Sequence, residues 1–145
     1  MTSGKDVLAY FEERFGIPRE LFSDYTLYSD HKGRIFMAPK KLVAEDIAIT
    51  VGMQIGRVNG AIKPSTNFLQ AFGRHAGKSI LPLAKEQAIA YAKGEDIKVH
   101  TRPDGISDGY VLLKYLDFPL GCGLLKGDQL KNMLPKARRM QVKFL

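Results

Sequence analysis

The stretch FPLGCGLLKGDQLKNMLPKARR, residues 118–139, joins an apolar, glycine-flanked run to a tail with five cations and one acid. Its first part, PLGCGLLK (119–126), follows GYVLLKYLDF (109–118), and both runs have the β-branched, aromatic and apolar make-up of strands. Residues 119–126 therefore read as a strand that includes Gly121 and Gly123. Cys122 then sits mid-strand among apolar neighbours, where a cysteine behaves as a small hydrophobe. LKNML (130–134) is expected to make one helical turn before Pro135, and QVKFL (141–145) to close the sheet.

Working outward, residues 6–16 place Val7, Leu8, Phe11 and Phe15 at helical spacing, with Ser3 or Asp6 as the cap and Gly16 as the stop. A short turn follows Pro18. YTLYS (25–29) and RIFMA (34–38) alternate around Asp-His-Lys-Gly, a hairpin whose turn takes its positive φ from Gly33. His31 reads as an exposed turn residue. Residues 42–58 are β-rich and interrupted by Gly52 and Gly56; they lack the third glycine and the following helix of a dinucleotide fingerprint. A helix is expected from Pro64-Ser65 to about Ala76, with Phe68, Leu69, Phe72 and Ala76 inward, and another over 83–93 stopping at Gly94. Residues 96–99 read as a short strand and 102–109 as a turn-rich loop. The expected class is α+β, with a small curved, barrel-like mixed sheet and short flanking helices.

The chain has 145 residues, 45% of them hydrophobic, which suits a cored globular domain. No apolar run reaches the length of a membrane span, and the polar N-terminus does not read as a secretory signal. One cysteine makes no internal disulfide, and three scattered histidines beside it make a poor metal set; the expected compartment is the cytoplasm. The net charge of +7 is unevenly spread. Residues 1–33 carry four cations and six acids, residues 34–99 ten and five, residues 100–125 two and three, and the last twenty residues six and one. Two basic blocks suit a polyanionic partner.

Catalytic constellations are weak. The adjacent pairs Glu12-Glu13, Glu45-Asp46 and Glu95-Asp96 point apart on any regular element, and Asp104 and Asp108 lack calcium-loop spacing. There is no phosphate-binding glycine loop and no zinc-spaced His-Glu pair. No cofactor or metal is called for. Binding fits the C-terminal block better: Lys126, Lys131, Lys136, Arg138, Arg139 and Lys143 lie within eighteen residues and can neutralise phosphates, while Asn132 offers a directional hydrogen bond.

These residues resemble a known family. PLGCGLLKGDQLKNMLPKARR is similar to the closing segment of the PUA-like RNA-binding domain of RsmF-type rRNA cytosine-C5 methyltransferases, with Pro119, Leu120, Gly121, Gly123, Lys126, Leu130, Lys131, Asn132, Pro135, Lys136 and Arg139 in register. Gly52, Gly56-Arg57, Lys63-Pro64-Ser65, Tyr91 and Gly94-Glu95 extend the similarity over about residues 43–140. Cys122 stands where the family has an aromatic residue. The chain also lacks the methyltransferase's glycine motif and its pair of catalytic cysteines.

The resemblance implies a PUA-like pseudo-barrel over residues 43–145, preceded by an N-terminal helix-hairpin extension over residues 1–42. It implies a non-catalytic, free-standing module for structured RNA, rRNA or tRNA, acting in RNA modification or ribosome assembly beside a separately encoded methyltransferase or assembly protein. Lys126, Lys131, Lys136, Arg138 and Arg139 would hold phosphates and Asn132 a sugar or base edge, with Arg57, Lys63 and Arg74 extending the footprint. A protein-interaction subunit docking through the acidic N-terminal helix, and a small enzyme using Cys122, are the competing readings.

Overall fold

The computed structural model describes residues 3–44, 52–139 and Leu145. Helix α1 spans Gly4–Phe15. The Ser3 hydroxyl accepts the Asp6 N–H while the Ser3 N–H donates to the Asp6 carboxylate, a reciprocal capping box. Gly16 stops the helix at φ 66°. After a 3-10 turn at Arg19–Phe22 come β1 (Tyr25–Ser29) and β2 (Arg34–Pro39), the expected hairpin. Gly33 turns it at φ +80°, where a Cβ would stand 2.5 Å from the Val58 carbonyl oxygen. Then follow α2 (Lys40–Ala44), β3 (Met53–Asn59), β4 (Ala61–Pro64), α3 (Thr66–Phe72), β5 (Ile80–Pro82), α4 (Lys85–Ala92), β6 (Ile97–Lys98), β7 (Gly109–Tyr115), β8 (Phe118–Lys126) and β9 (Gln129–Asn132).

Three expectations need correction. The run 42–58, read as β-rich, starts in helix α2, which covers its first three residues, and is a strand only from Met53; residues 45–51 of it lie outside the described ones. The helix from Pro64-Ser65 to Ala76 ends at Phe72 and tightens into a 3-10 turn at Gly73–His75. Gly73 is pressed against Pro119 and Leu112, leaving that turn little room. LKNML is not a helical turn: Gln129–Asn132 is a strand laid against β8, with Leu130 opposite Leu125. Ladder hydrogen bonds and burial of Leu130 override the helix-like Leu130/Leu134 spacing. The expected strand at 141–145 falls on residues 141–144, outside the described ones, apart from Leu145.

The strands make two sheets. The first is antiparallel in the order β1-β2-β3-β4; the second, in the order β5-β7-β8-β9-β6, is antiparallel except for the parallel β5–β7 pair and curls into a half-barrel. The fold is thus α+β, as the sequence suggests. One core lies between α1, the first sheet, α3 and the centre of the second sheet; it holds Phe11, Phe15, Ile35, Ile55, Phe68, Leu112 and Cys122. The other fills the half-barrel under α4, around Leu81, Tyr91, Val111, Leu113, Leu125 and Leu130. Phe11 stacks on Phe68, centroids 4.2 Å apart, so the N-terminal helix and the middle of the chain share a hydrophobic contact.

Candidate nucleic-acid interface

The site is built on the β3–β4 hairpin. Its register sets Arg57 directly opposite Lys63, two cations side by side on one face. A bulge lets Ile55 and Gly56 both turn inward. A Cβ on Gly56 would come 2.8 Å from the Lys63 carbonyl oxygen, so glycine permits the close approach that holds the two strands. Ser65 then pins α3 to β3: its N–H donates to the Ile55 carbonyl (2.9 Å), its hydroxyl donates to the Gln54 carbonyl (2.7 Å) and accepts from the Phe68 N–H (3.1 Å).

A third cation arrives from the far end of the chain. Pro135 leads into the 3-10 turn Lys136–Arg138, closed by the Arg138 N–H on the Pro135 carbonyl at 2.8 Å. The Arg138 guanidinium donates through Nη1 to Asn67 Oδ1 (2.6 Å) and through Nη2 to Gln70 Oε1 (2.8 Å), neighbours one turn apart on α3. Neutral amides orient the guanidinium without cancelling its charge. Arg57, Lys63 and Arg138 open into one cleft of about 400 Å³, lined also by Gln54, Ser65, Thr66, Asn67, Met133 and the two prolines Pro64 and Pro135. None of its lining residues is acidic, and among the described residues Arg57 and Lys63 form no ion pair.

The remaining candidate residues divide. Lys136 is exposed in the turn that carries Arg138. Arg74 is exposed beside His75, to which its Nε donates at 3.2 Å, and lies outside the cleft lining. Arg139 folds back over Gly94 and donates to the Leu134 carbonyl at 3.3 Å. Lys131 is exposed on β9. Lys126 lies at the opposite end of β9 from the cleft, near Asp108, which also takes the Gly127 N–H and the Arg102 guanidinium. Those partners hold the Asp108 carboxyl below its ordinary range, the Arg102 hydrogen bond first among them. The C-terminal cations therefore do not gather on one rim; only the Lys136–Arg138 turn meets the upstream pair.

Asn132 is turned inward, which corrects its reading as an RNA contact. It is 6% exposed; its amide donates to the carbonyls of Tyr91 (2.8 Å) and Glu95 (2.9 Å), and its Oδ1 accepts the Leu134 N–H (2.9 Å). It is a brace between β9 and the end of α4. Cys122 is buried, and burial pushes its thiol up to about 12, far from a nucleophile's range. Tyr91 is buried beside it, its phenol raised by burial and donating to the Cys122 carbonyl at 2.9 Å. Among the described residues no group of three or more His, Cys, Asp or Glu is placed to hold a metal, and no helix is long and apolar enough to cross a membrane. Gln54, Thr66, Asn67, Gln70 and Met133 had no signal in the sequence: single polar or apolar residues gain a role only through the approach of Arg138.

Residues 78–140 match the family model of the Methyltransferase RsmF PUA domain. Residues 1–51 match a family of unknown function (DUF7122). No curated protein matches the chain. The chain thus carries a PUA-like domain resembling that of RsmF, and its α+β architecture with a half-barrel agrees with a PUA-like pseudo-barrel. Neither match is to a methyltransferase domain. The cleft draws on residues within the match and before it, Arg138 within it and Arg57 and Lys63 before it.

Proposed function

We propose that this protein is a non-catalytic module that binds structured RNA, rRNA or tRNA, through the Arg57–Lys63–Arg138 cleft, with Lys136 beside it and Arg74, Lys131 and Arg139 further out. The RNA-binding character of PUA domains supports the partner class. The observation that carries the reading is the convergence of three cations from separated parts of the chain on an open cleft free of carboxylates. Such a surface holds a phosphate backbone by charge and shape, the mode that suits folded RNA. Modification of the bound RNA would fall to a separately encoded enzyme, and we place the work in RNA modification or ribosome assembly in the cytoplasm.

The test is a salt titration of affinity for a tRNA transcript. Wild-type protein should lose affinity steeply as salt rises, and Arg57→Glu or Lys63→Glu should weaken binding and lower the slope of log K against log salt by about one or more each. Lys126→Glu, a charge change near Asp108 and away from the cleft, should change affinity far less. A flat salt response, or equal losses from all three variants, would reject the cleft as the binding surface.

A further inference from the structure

Two of the cleft's lining residues, Gln54 and Arg57, stand in cross-strand rows of the first sheet, and the register shows what stands beside them. On β2 the inward residues are Ile35 and Met37, both buried, so Arg34 and Phe36 face the other way. Arg34 lies opposite Arg57, which lies opposite Lys63, giving a row of three cations across β2, β3 and β4. The next row runs Tyr28, Phe36, Gln54 across β1, β2 and β3. The Tyr28 and Phe36 rings are stacked, centroids 5.3 Å apart and planes at 16°, and both are half-buried. The Arg34 guanidinium carbon sits 5.7 Å from the Phe36 ring centroid and its Nε is tied to Asp30 at 2.6 Å. Gln54, next across from Phe36, itself lines the cleft.

We infer that Phe36 is a stacking platform for an unpaired nucleobase of the bound RNA, with the Gln54 amide at the base edge and Arg57, Lys63 and Arg138 on the adjoining phosphates. The inference rests on the RNA-binding reading above and gives the N-terminal hairpin a share in the site. An aromatic pair alone would be ordinary sheet packing. What points to a ligand is its register beside Arg57 and Lys63, which form no ion pair among the described residues while Arg34 of the same row is paired with Asp30, and the place of Gln54 both opposite Phe36 and in the cleft lining, the pairing of π-face and charge that single-stranded nucleic acid requires. It narrows the partner to RNA with an unpaired nucleotide next to its structured part.

The experiment compares affinities of the full chain for a short unpaired oligoribonucleotide and for a blunt RNA duplex, using wild type, Phe36→Leu and Phe36→Tyr. Phe36→Leu should weaken the unpaired RNA by about tenfold, leave the duplex nearly unchanged and keep the salt slope, while Phe36→Tyr should bind as wild type. Independently of any variant, a 2-aminopurine in the unpaired RNA should be quenched by stacking when wild-type protein is added. Equal effects of Phe36→Leu on both RNAs, or no effect together with no quenching, overturn the stacking inference while leaving RNA binding standing. Loss of RNA binding as a whole is read separately, from the salt response and from Arg57→Glu. A Phe36→Leu chain that dimerises differently or loses only a protein partner, with RNA affinity intact, also overturns it.

Discussion

Asn132 shows how a polar residue in a basic stretch misleads when read alone. Its neighbours Lys131 and Pro135 suggest a surface, yet the strand's alternation turns position 132 inward, where one amide satisfies two carbonyls and a backbone N–H. Replacing it with alanine leaves those three groups unpaired in a buried setting, so Asn132→Ala should cost about 2–4 kcal/mol in urea unfolding, with RNA affinity of the folded fraction unchanged. A loss of affinity without a loss of stability would return Asn132 to the interface. Cys122 makes the opposite case, since its inert character is legible from its apolar flanks. Its folded pKa, about 12, lies above the ordinary thiol value of 9.0, so the folded chain keeps a proton there that the unfolded chain releases. The preference for folding it provides is full below pH 9 and is lost as pH rises from about 9 towards 12. The wild type should therefore lose more stability than Cys122→Ala over that window, and its native thiol should resist alkylation at pH 8. Rapid alkylation of folded protein would contradict the burial.

Elements with strong local signals were readable from the sequence: α1 from its periodic Val7, Phe11 and Phe15, and the first hairpin from alternation and Gly33. Elements defined by partners far away were not. β9 borrows its state from β8, and β5 is three residues beginning next to Ser79, which takes a positive φ and whose carbonyl accepts the Leu112 N–H at 2.8 Å. The cleft was half legible for the same reason. Arg57, Lys63 and Arg138 are visible as cations, but only the fold of α3 and the 3-10 turn brings the third to the first two. One long-range clamp fixes how α1 meets the second sheet: Arg14 donates from Nε to the Tyr110 carbonyl (2.8 Å), from Nη1 to the Ser107 hydroxyl (2.6 Å) and from Nη2 to the Ser107 carbonyl (2.8 Å). Lysine keeps the charge but not this planar fork. Arg14→Lys should thus lower stability by about 1–3 kcal/mol and leave the salt slope of RNA binding unchanged, since Arg14 is outside the cleft.

At the scale of the molecule, the question is whether residues 1–42 and 43–145 stand as separate units. The two family matches do not overlap each other, and the first, over residues 1–51, runs across this boundary, while the second begins only at residue 78. The packing runs across it. β2 hydrogen-bonds β3, the Gly77 and Lys78 N–H groups donate to the Phe15 carbonyl, and Phe68 contacts both Phe11 and Phe22. Phe11, Phe15 and Ile17 are fully buried in the core that also holds Ile55, Leu69 and Leu112. At about 1.5–3 kcal/mol for each large apolar side chain, those three alone contribute about 5–9 kcal/mol, comparable with the whole stability of a typical domain. A fragment of residues 43–145 should therefore not hold a native fold, and the full chain should unfold in one transition. Tyrosine signals from Tyr10, Tyr25 and Tyr28 and from Tyr91, Tyr110 and Tyr115 should share one midpoint in urea, with the fragment showing a collapsed, poorly dispersed proton spectrum. Two separated midpoints, or a fragment with dispersed resonances and its own cooperative melt, would show that the second half carries its fold alone and that the N-terminal hairpin is an appended part of the RNA surface.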